Sequence, residues 1–239
     1  MEPGDAFGRL LLDHLEGRSV REVVERDDGF VSTSSIEGYF APVRHWATAE
    51  RRALRLARGP VLDVGCGAGR VALALQARGR EVLGIDVSPL AVEVARRRGV
   101  RDARVLGVSA VDEHVGRFRT VVLYGNGFGL LGTPAKARRL LRRLLGVTTA
   151  DARILAASTD IYATDDPLLR GFQERNRARG RMAGQLRIRV RHRYWATPWF
   201  DFLLVSPEEQ AALALEGGWR LARVVRGDDP YYVGVLERR

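Results

Sequence analysis

The stretch VLDVGCGAGR, residues 61–70, carries the densest set of residues able to do chemistry. Glycines stand at 65, 67 and 69, after a short apolar run and before a helical pattern. Glycine reaches backbone angles closed to other residues and lets a ligand lie against the chain. The helix that follows adds N–H donors aimed at that ligand. Asp63 stands two residues before the first glycine, and Asp86 follows Gly69 by 17 positions, at the end of a second apolar run, EVLGID. A dinucleotide fingerprint needs G-x-G-x-x-G with its third glycine at position 70, where this chain has Arg70. A carboxylate at 63 faces a pyrophosphate badly but suits a ligand that brings a positive charge. A carboxylate at 86 is placed to accept both hydroxyls of a ribose. The pair therefore asks for a ribose and a cation, with no phosphate.

The elements around these residues follow one rhythm. Short apolar runs at 60–64, 81–86, 103–108, 118–124 and 152–159 read as strands, with helical patterns between them. One helix is fully punctuated, with Ser88 as N-cap, Pro89 at the first helical position and Gly99 past the end. Thr133-Pro134 opens another, ending near Gly146. WRLARVV and YYVGVLE read as a closing hairpin. This alternation predicts an α/β fold with a doubly wound, mostly parallel seven-stranded sheet of Rossmann-like type. The rhythm breaks at 160–205, read as an antiparallel insertion before the last helix, which Ser206 and Glu209 open with a capping box. Residues 4–16 and 43–58 read as helices, so 1–58 is expected to form an N-terminal helical cap on a single domain of 1–239.

Composition sets the outer bounds. At 239 residues the chain suits one domain with a full core. No run of eighteen apolar residues exists, so no membrane partner is expected. The acidic start is unlike a signal peptide, and one cysteine leaves no internal disulfide; both point to the cytoplasm. Net charge is +10, yet Lys136 is the only lysine. A substitution of arginine for lysine that complete reads as coding bias more than as a nucleic-acid footprint. No metal ion is expected, and the oligomeric state is not legible.

The segment from Asp63 to Gly69, with Asp86 behind it, resembles the class I S-adenosylmethionine-dependent methyltransferases. The likeness runs through about residues 39–159 and loosely through the final hairpin. It also extends to a group of small methyltransferases of uncharacterised substrate, through the tail PWFDFLLVSPEE. It implies S-adenosylmethionine as cofactor. Asp63, Gly65, Cys66, Gly67, Ala68 and Gly69 would hold the methionine end, Asp86 the ribose, and Val87 would lie beside the adenine. Many members carry an acid after the third strand; here Val108 and Ser109 take that place, so Ser109 or a backbone carbonyl would serve. Tyr124, Gly125 and Asn126, after the fourth strand, sit where methyl and acceptor would meet. This turn lacks the Asp/Asn-Pro-Pro-Tyr of DNA amino-methylating enzymes. Cys66 lies in the cofactor loop, where it packs rather than attacks, which argues against cytosine C5 chemistry. Tyr39, with Phe40, precedes the first core helix, where related enzymes cover the cofactor with an aromatic ring; ordinary packing is the equal alternative.

The acceptor is less legible. Asp160 and Tyr162 follow the fifth strand at the correct end of the sheet, and His192 lies within the insertion; these are the candidate bases. The ladder Arg187, Arg189, Arg191 and Arg193 alternates with Leu186, Ile188 and Val190, so the arginines share one strand face. That face is either solvated or grips an anion, with Arg175, Arg177, Arg179 and Arg181 close in sequence. Trp195, Trp199 and Phe200 either wall the acceptor or pack the insertion. Asp201 is a strand-edge charge or an arginine's partner. The reading is methyl transfer to a small molecule, with an anionic one selected by a substrate lid at 160–205 through Arg189, Arg191 and Trp195. RNA methylation and a non-catalytic cofactor-binding module are the alternatives.

Overall fold

The computed structural model describes residues 2–239. The chain opens with β1 (Glu2–Pro3), α1 (Ala6–Leu15) and a hairpin of β2 (Arg21–Arg26) and β3 (Val31–Ser35), then passes through 3-10 turns into α2 (Thr48–Ala53). Strands and helices then alternate: β4 (Val61–Val64), α3 (Arg70–Gln76), β5 (Val82–Asp86), α4 (Pro89–Arg97), β6 (Asp102–Val105), β7 (Phe118–Leu123), α5 (Pro134–Gly146) and β8 (Thr148–Thr159). After α6 (Pro167–Ala178) come β9 (Gln185–His192), β10 (Trp195–Ala196) and β11 (Phe200–Leu203). The chain closes with α7 (Pro207–Glu216), β12 (Trp219–Arg226) and β13 (Tyr231–Arg238). Among the described residues, no helix is long and apolar enough to cross a membrane.

The large sheet has the order β12-β13-β8-β7-β4-β5-β6. Strands β4 to β8 pair in parallel, and β13 slots antiparallel between β12 and β8. Strands β4, β5 and β7 bury both faces. Leu62, Val64, Leu83, Ile85, Val121 and Leu123 pack against Leu140, Leu141 and Leu144 of α5 and Leu213 of α7. The alternate residues Val61, Val82, Val122 and Leu155 face Ala49 and Ala53 of α2, Val71 and Leu75 of α3, and Val92 of α4. Order reverses on either side of β4, which opens a crevice at the carboxyl ends of β4, β5 and β7. The expected caps are present: Ser88 accepts from Ala91 N, and Ser206 and Glu209 form the reciprocal capping box.

A second sheet runs β1-β10-β9-β2-β3, with β11 sharing an edge of β9. The N-terminal segment is therefore not helical throughout: its hairpin supplies two strands to the sheet that carries the arginine ladder. No periodicity announces that hairpin, because all five residues of β3, VSTSS, are exposed. On β9 the expected alternation holds: Ile188, Val190 and His192 are buried, while Arg187 is exposed.

Helix α1 straps the small sheet to the large one. Leu10 and Leu11 are fully buried and cluster with Ala91 and Val94 of α4. Asp5 caps α1 through Gly8 N at 2.8 Å and also accepts from Ser88 Oγ at 2.7 Å and Leu90 N at 3.1 Å. Asp5→Ala should cost about 1–2 kcal/mol, as for loss of a helix cap with its added partners, measured by urea unfolding.

Candidate functional site

The turn between β4 and α3 is tightly determined. Gly65 N and Cys66 N both donate to Ile85 O, at 2.8 and 3.0 Å. Gly69 has φ +79°, and a Cβ there would come within 2.5 Å of Val100 Cγ2, so only glycine can hand the chain into α3. Gly67 differs. Its φ is +51°, yet a Cβ there would meet only the rings of Phe7 and Tyr39, at 3.8 and 3.9 Å. The backbone at 67 thus faces a gap roofed by two aromatic rings, themselves edge-to-face with centroids 5.3 Å apart.

Asp63 lies at this turn's base, 2% exposed, with no hydrogen-bond partner for Oδ2. Burial pushes its carboxyl up to about 7, against the opposing pull of Arg70. A buried acid left unpaired is costly unless a cation or donor reaches it. Asp86, 7% exposed, accepts from Gly67 N at 2.9 Å through Oδ2 and from Ser88 N at 2.9 Å through Oδ1. Burial raises it, and those two donors hold it down. Val87, the next residue, is 74% exposed although apolar. Its Cγ1 and Ser109 Oγ lie 3.2 and 3.7 Å from the point where a Cβ on Gly107 would sit, so Val87 and Ser109 border one hollow. Val108, in the same turn, is partly buried against the core.

On the other flank stands a cluster that no sequence pattern announced. Glu50 of α2, 2% exposed, holds both guanidinium nitrogens of Arg70, at 2.7 and 2.8 Å. Its Oε1 also accepts from Tyr231 OH at 2.6 Å and from Gly125 N at 2.9 Å. Tyr124 donates to Glu50 O at 3.2 Å, and Trp46 stacks on the Arg70 guanidinium at 4.6 Å. The signal for Arg70 was its place at the end of the glycine motif. Glu50 and Tyr231 carried none, being 20 and 161 residues from it in the chain.

The structure brings Asp63, Gly65, Gly67, Gly69, Asp86, Val87, Ser109, Tyr124, Gly125, Asn126 and Tyr39 to one rim. Asn126 holds a left-handed backbone, φ 60°, and its Oδ1 accepts from Thr159 Oγ1 at 3.0 Å. Other expected residues are placed differently. The Cys66 side chain packs against the β5 backbone, with Sγ 3.1 Å from where a Cβ on Gly84 would lie, and burial pushes its thiol up. Ala68 is 1% exposed and packs into the α1–α4 core. His192 is buried against Asp13 of α1, Nε2 to Oδ2 2.8 Å, and clasps the strap rather than serving the rim. Arg189 and Arg191 both pair with Glu25 of β2, at 2.8 and 3.4 Å, because Glu25 is the cross-strand neighbour of Arg189. Arg189 also stacks on Trp199, at 4.6 Å. Trp195 carries the Arg9 guanidinium over its ring at 3.9 Å and stands against Gly4, on the small sheet beside α1. Asp160 accepts from Tyr162 N at 3.2 Å, and Tyr162 OH donates to Glu209 at 2.6 Å. Asp201 pairs with Lys136 at 2.5 Å.

Comparison with known proteins agrees with this architecture. Residues 61–151 match the family described as methyltransferase domain. A crystal structure of an S-adenosylmethionine-dependent methyltransferase from Bacteroides fragilis, complexed with S-adenosylhomocysteine, superposes with TM-score 0.82. It is 29% identical, and the match covers 98% of this chain and 94% of that one. A tRNA (uracil-5-)-methyltransferase homolog A from Homo sapiens is 33% identical over 92 residues, 38% of this chain and 13% of that protein. A 2-heptyl-1-hydroxyquinolin-4(1H)-one methyltransferase from Mycobacteroides abscessus is 36% identical over 70 residues, 27% of this chain and 31% of that protein. The matched stretches thus span less than a third of either curated relative. The fold is that of S-adenosylmethionine-dependent methyltransferases, and residues 61–151 match a methyltransferase domain.

Two outcomes follow from the buried charges. Glu50→Ala strands Arg70 and should cost about 3–5 kcal/mol in unfolding free energy. The double change Glu50→Leu with Arg70→Met, which removes both charges, should cost clearly less. For Asp63, the folded value of about 7 lies above that of a free carboxyl. The unfolded chain therefore ionises first as pH rises, and stability is lost progressively up to about pH 7. Asp63→Asn removes that loss: the variant should melt near wild type at pH 4 and above it at pH 8, by roughly 2–4 kcal/mol.

Proposed function

We propose that this chain transfers the methyl group of S-adenosylmethionine to a small-molecule acceptor. The observation that carries the reading is the unpartnered Oδ2 of buried Asp63, at the base of the turn whose Gly67 lies beneath the rings of Phe7 and Tyr39. A ligand fits there only if it brings a cation to the carboxylate and no bulk of its own phosphate. Asp63 would take the amino group, Asp86 the ribose hydroxyls, and Val87 with Ser109 the adenine edge. Phe7 and Tyr39 would close over the ligand. The cofactor supplies a methyl group already activated on a sulfonium sulfur.

The protein's own task is then alignment and exclusion of water. The Glu50 cluster fixes Arg70 and the Gly125 amide. The left-handed turn at Asn126, tied to Thr159, sets the wall opposite the cofactor loop. Tyr39 covers the loop from the small sheet. The segment 160–205 acts as the acceptor lid through the buried face of β9, since its arginine face turns away and is held by Glu25. An anion grip by Arg189 and Arg191 therefore loses its support.

Calorimetry tests the reading. Wild type should bind S-adenosylmethionine and S-adenosylhomocysteine, and Asp86→Ala should weaken both by about tenfold or more. Affinity should fall as pH drops through about 7, because protonated Asp63 no longer attracts the amino group, and Asp63→Asn should lose that dependence. Absence of binding at millimolar cofactor, or binding of a nicotinamide dinucleotide instead, overturns it. Gel shifts with a tRNA transcript across a salt series test RNA as acceptor; strong retention with a steep salt dependence would replace the small molecule. Tight cofactor binding with no transfer to any acceptor in a broad screen would favour a non-catalytic module.

A further inference from the structure

The roof over the cofactor loop holds a carboxylate whose oxygens meet only neutral groups. Glu22 of β2 is 9% exposed. Its Oε1 accepts from Tyr39 OH at 2.9 Å and its Oε2 from Ser34 Oγ at 2.9 Å. Among the described residues no arginine or lysine is paired with it, although 39 basic residues are present and Glu25, three positions on, holds two of them. Burial and then Glu22 drive the Tyr39 hydroxyl well above its ordinary value, so Tyr39 stays a proton donor to that carboxylate. Arg70 and Asp86 also act on Tyr39, and Asp86 and Glu50 act on Asp63, so these groups share one electrostatic neighbourhood.

The charges in that neighbourhood do not balance. Asp63, Asp86, Glu22 and Glu50 share this neighbourhood with two guanidiniums, Arg70 and Arg98, the latter donating to Ala68 O and Phe40 O. On the reading given above, the cofactor adds two cationic groups and one carboxylate, a net single positive charge. With Asp63 ionised against the cofactor's amino group, the chamber keeps a negative surplus. In a water-poor site a surplus of this kind repels carboxylates and phosphates and attracts a cation or an N–H donor.

We infer that Glu22, in the roof formed with Tyr39, selects a protonatable amine as the methyl acceptor and receives its proton. This rests on the methyl-transfer reading of the same site. The amine, in its neutral form, gives its lone pair to form the nitrogen–carbon bond to the methyl group. The carbon–sulfur bond breaks, and its electron pair stays on sulfur, leaving a neutral thioether. Glu22 takes the proton of the bound ammonium beforehand, directly or through the Tyr39 hydroxyl, and passes it to water; the methylated product leaves as an ammonium ion.

The test uses the full chain saturated with S-adenosylhomocysteine, and reads binding rather than turnover. Benzylamine and tyramine are compared with benzoate and phenyl phosphate by thermal shift and calorimetry. The amines should bind and raise the melting temperature, and the two anions should not. Glu22→Gln should weaken amine binding by about tenfold or more, the loss of one charged hydrogen bond, while S-adenosylhomocysteine still binds. Ser34→Ala, which removes only a hydroxyl donor, should keep the amine preference. Preference for benzoate or phenyl phosphate, no preference in wild type, or undiminished amine binding in Glu22→Gln overturns the inference. Failure of wild type to bind S-adenosylhomocysteine at all is a different result: it defeats the methyl-transfer reading, and this inference with it. The preference of wild type stands as a readout even if a variant fails to fold.

Discussion

Glu50 accepts two hydrogen bonds from Arg70, one from Tyr231 and one from Gly125. Those bonds join α2, the first residue of α3, the C-terminal strand and the turn after β7 at one buried point. Each stretch enters the rim from a different part of the chain, and none of the others fixes its distance from the glycine loop as directly. The Arg70 charge, held in place by Glu50, also opposes the burial that raises the Asp63 carboxyl. A buried ion pair adds little net stability over well-packed apolar side chains, so its value here lies in registering the walls of the site.

Around that point the molecule separates its charges by layer. Carboxylates gather inside, at the carboxyl rim of the parallel sheet and under the small sheet. Many arginines lie outside and are matched locally, Arg189 and Arg191 to Glu25, Arg193 to Asp13 and Arg119 to Asp151, while Arg26 and Arg70 are largely covered. A net charge of +10 thus describes the shell and not the chamber. The small sheet makes the separation geometric. Its strands alternate faces, so one surface presents Glu22, Ile188 and Val190 inward while the other presents Glu25 and the ladder outward.

The likeness to other proteins follows the same division. The methyltransferase-domain match ends at Asp151, within β8, before Thr159, the α6 segment and the three strands of the insertion. The half that carries Asp63 and Asp86 is shared with proteins of several kinds. The half that roofs the chamber is matched through shape, in the Bacteroides fragilis structure, over almost the whole chain.

The glycine loop, Asp63, Asp86, the strand–helix alternation and the caps of α4 and α7 were all legible in the sequence, because each depends on neighbours within one strand–turn–helix unit. Glycine angles, capping hydroxyls and apolar periods are local physics, and local spacing reports them. The two faces of the ladder were legible, since apolar Leu186, Ile188 and Val190 turn to the core; what the arginines meet was not, and only the pairing of β2 with β9 set Glu25 against Arg189. The same holds for Glu22, Glu50 and Tyr231, single polar residues in unremarked stretches. Burial gave them their chemistry, and burial is a property of the packed chain that no residue carries by itself.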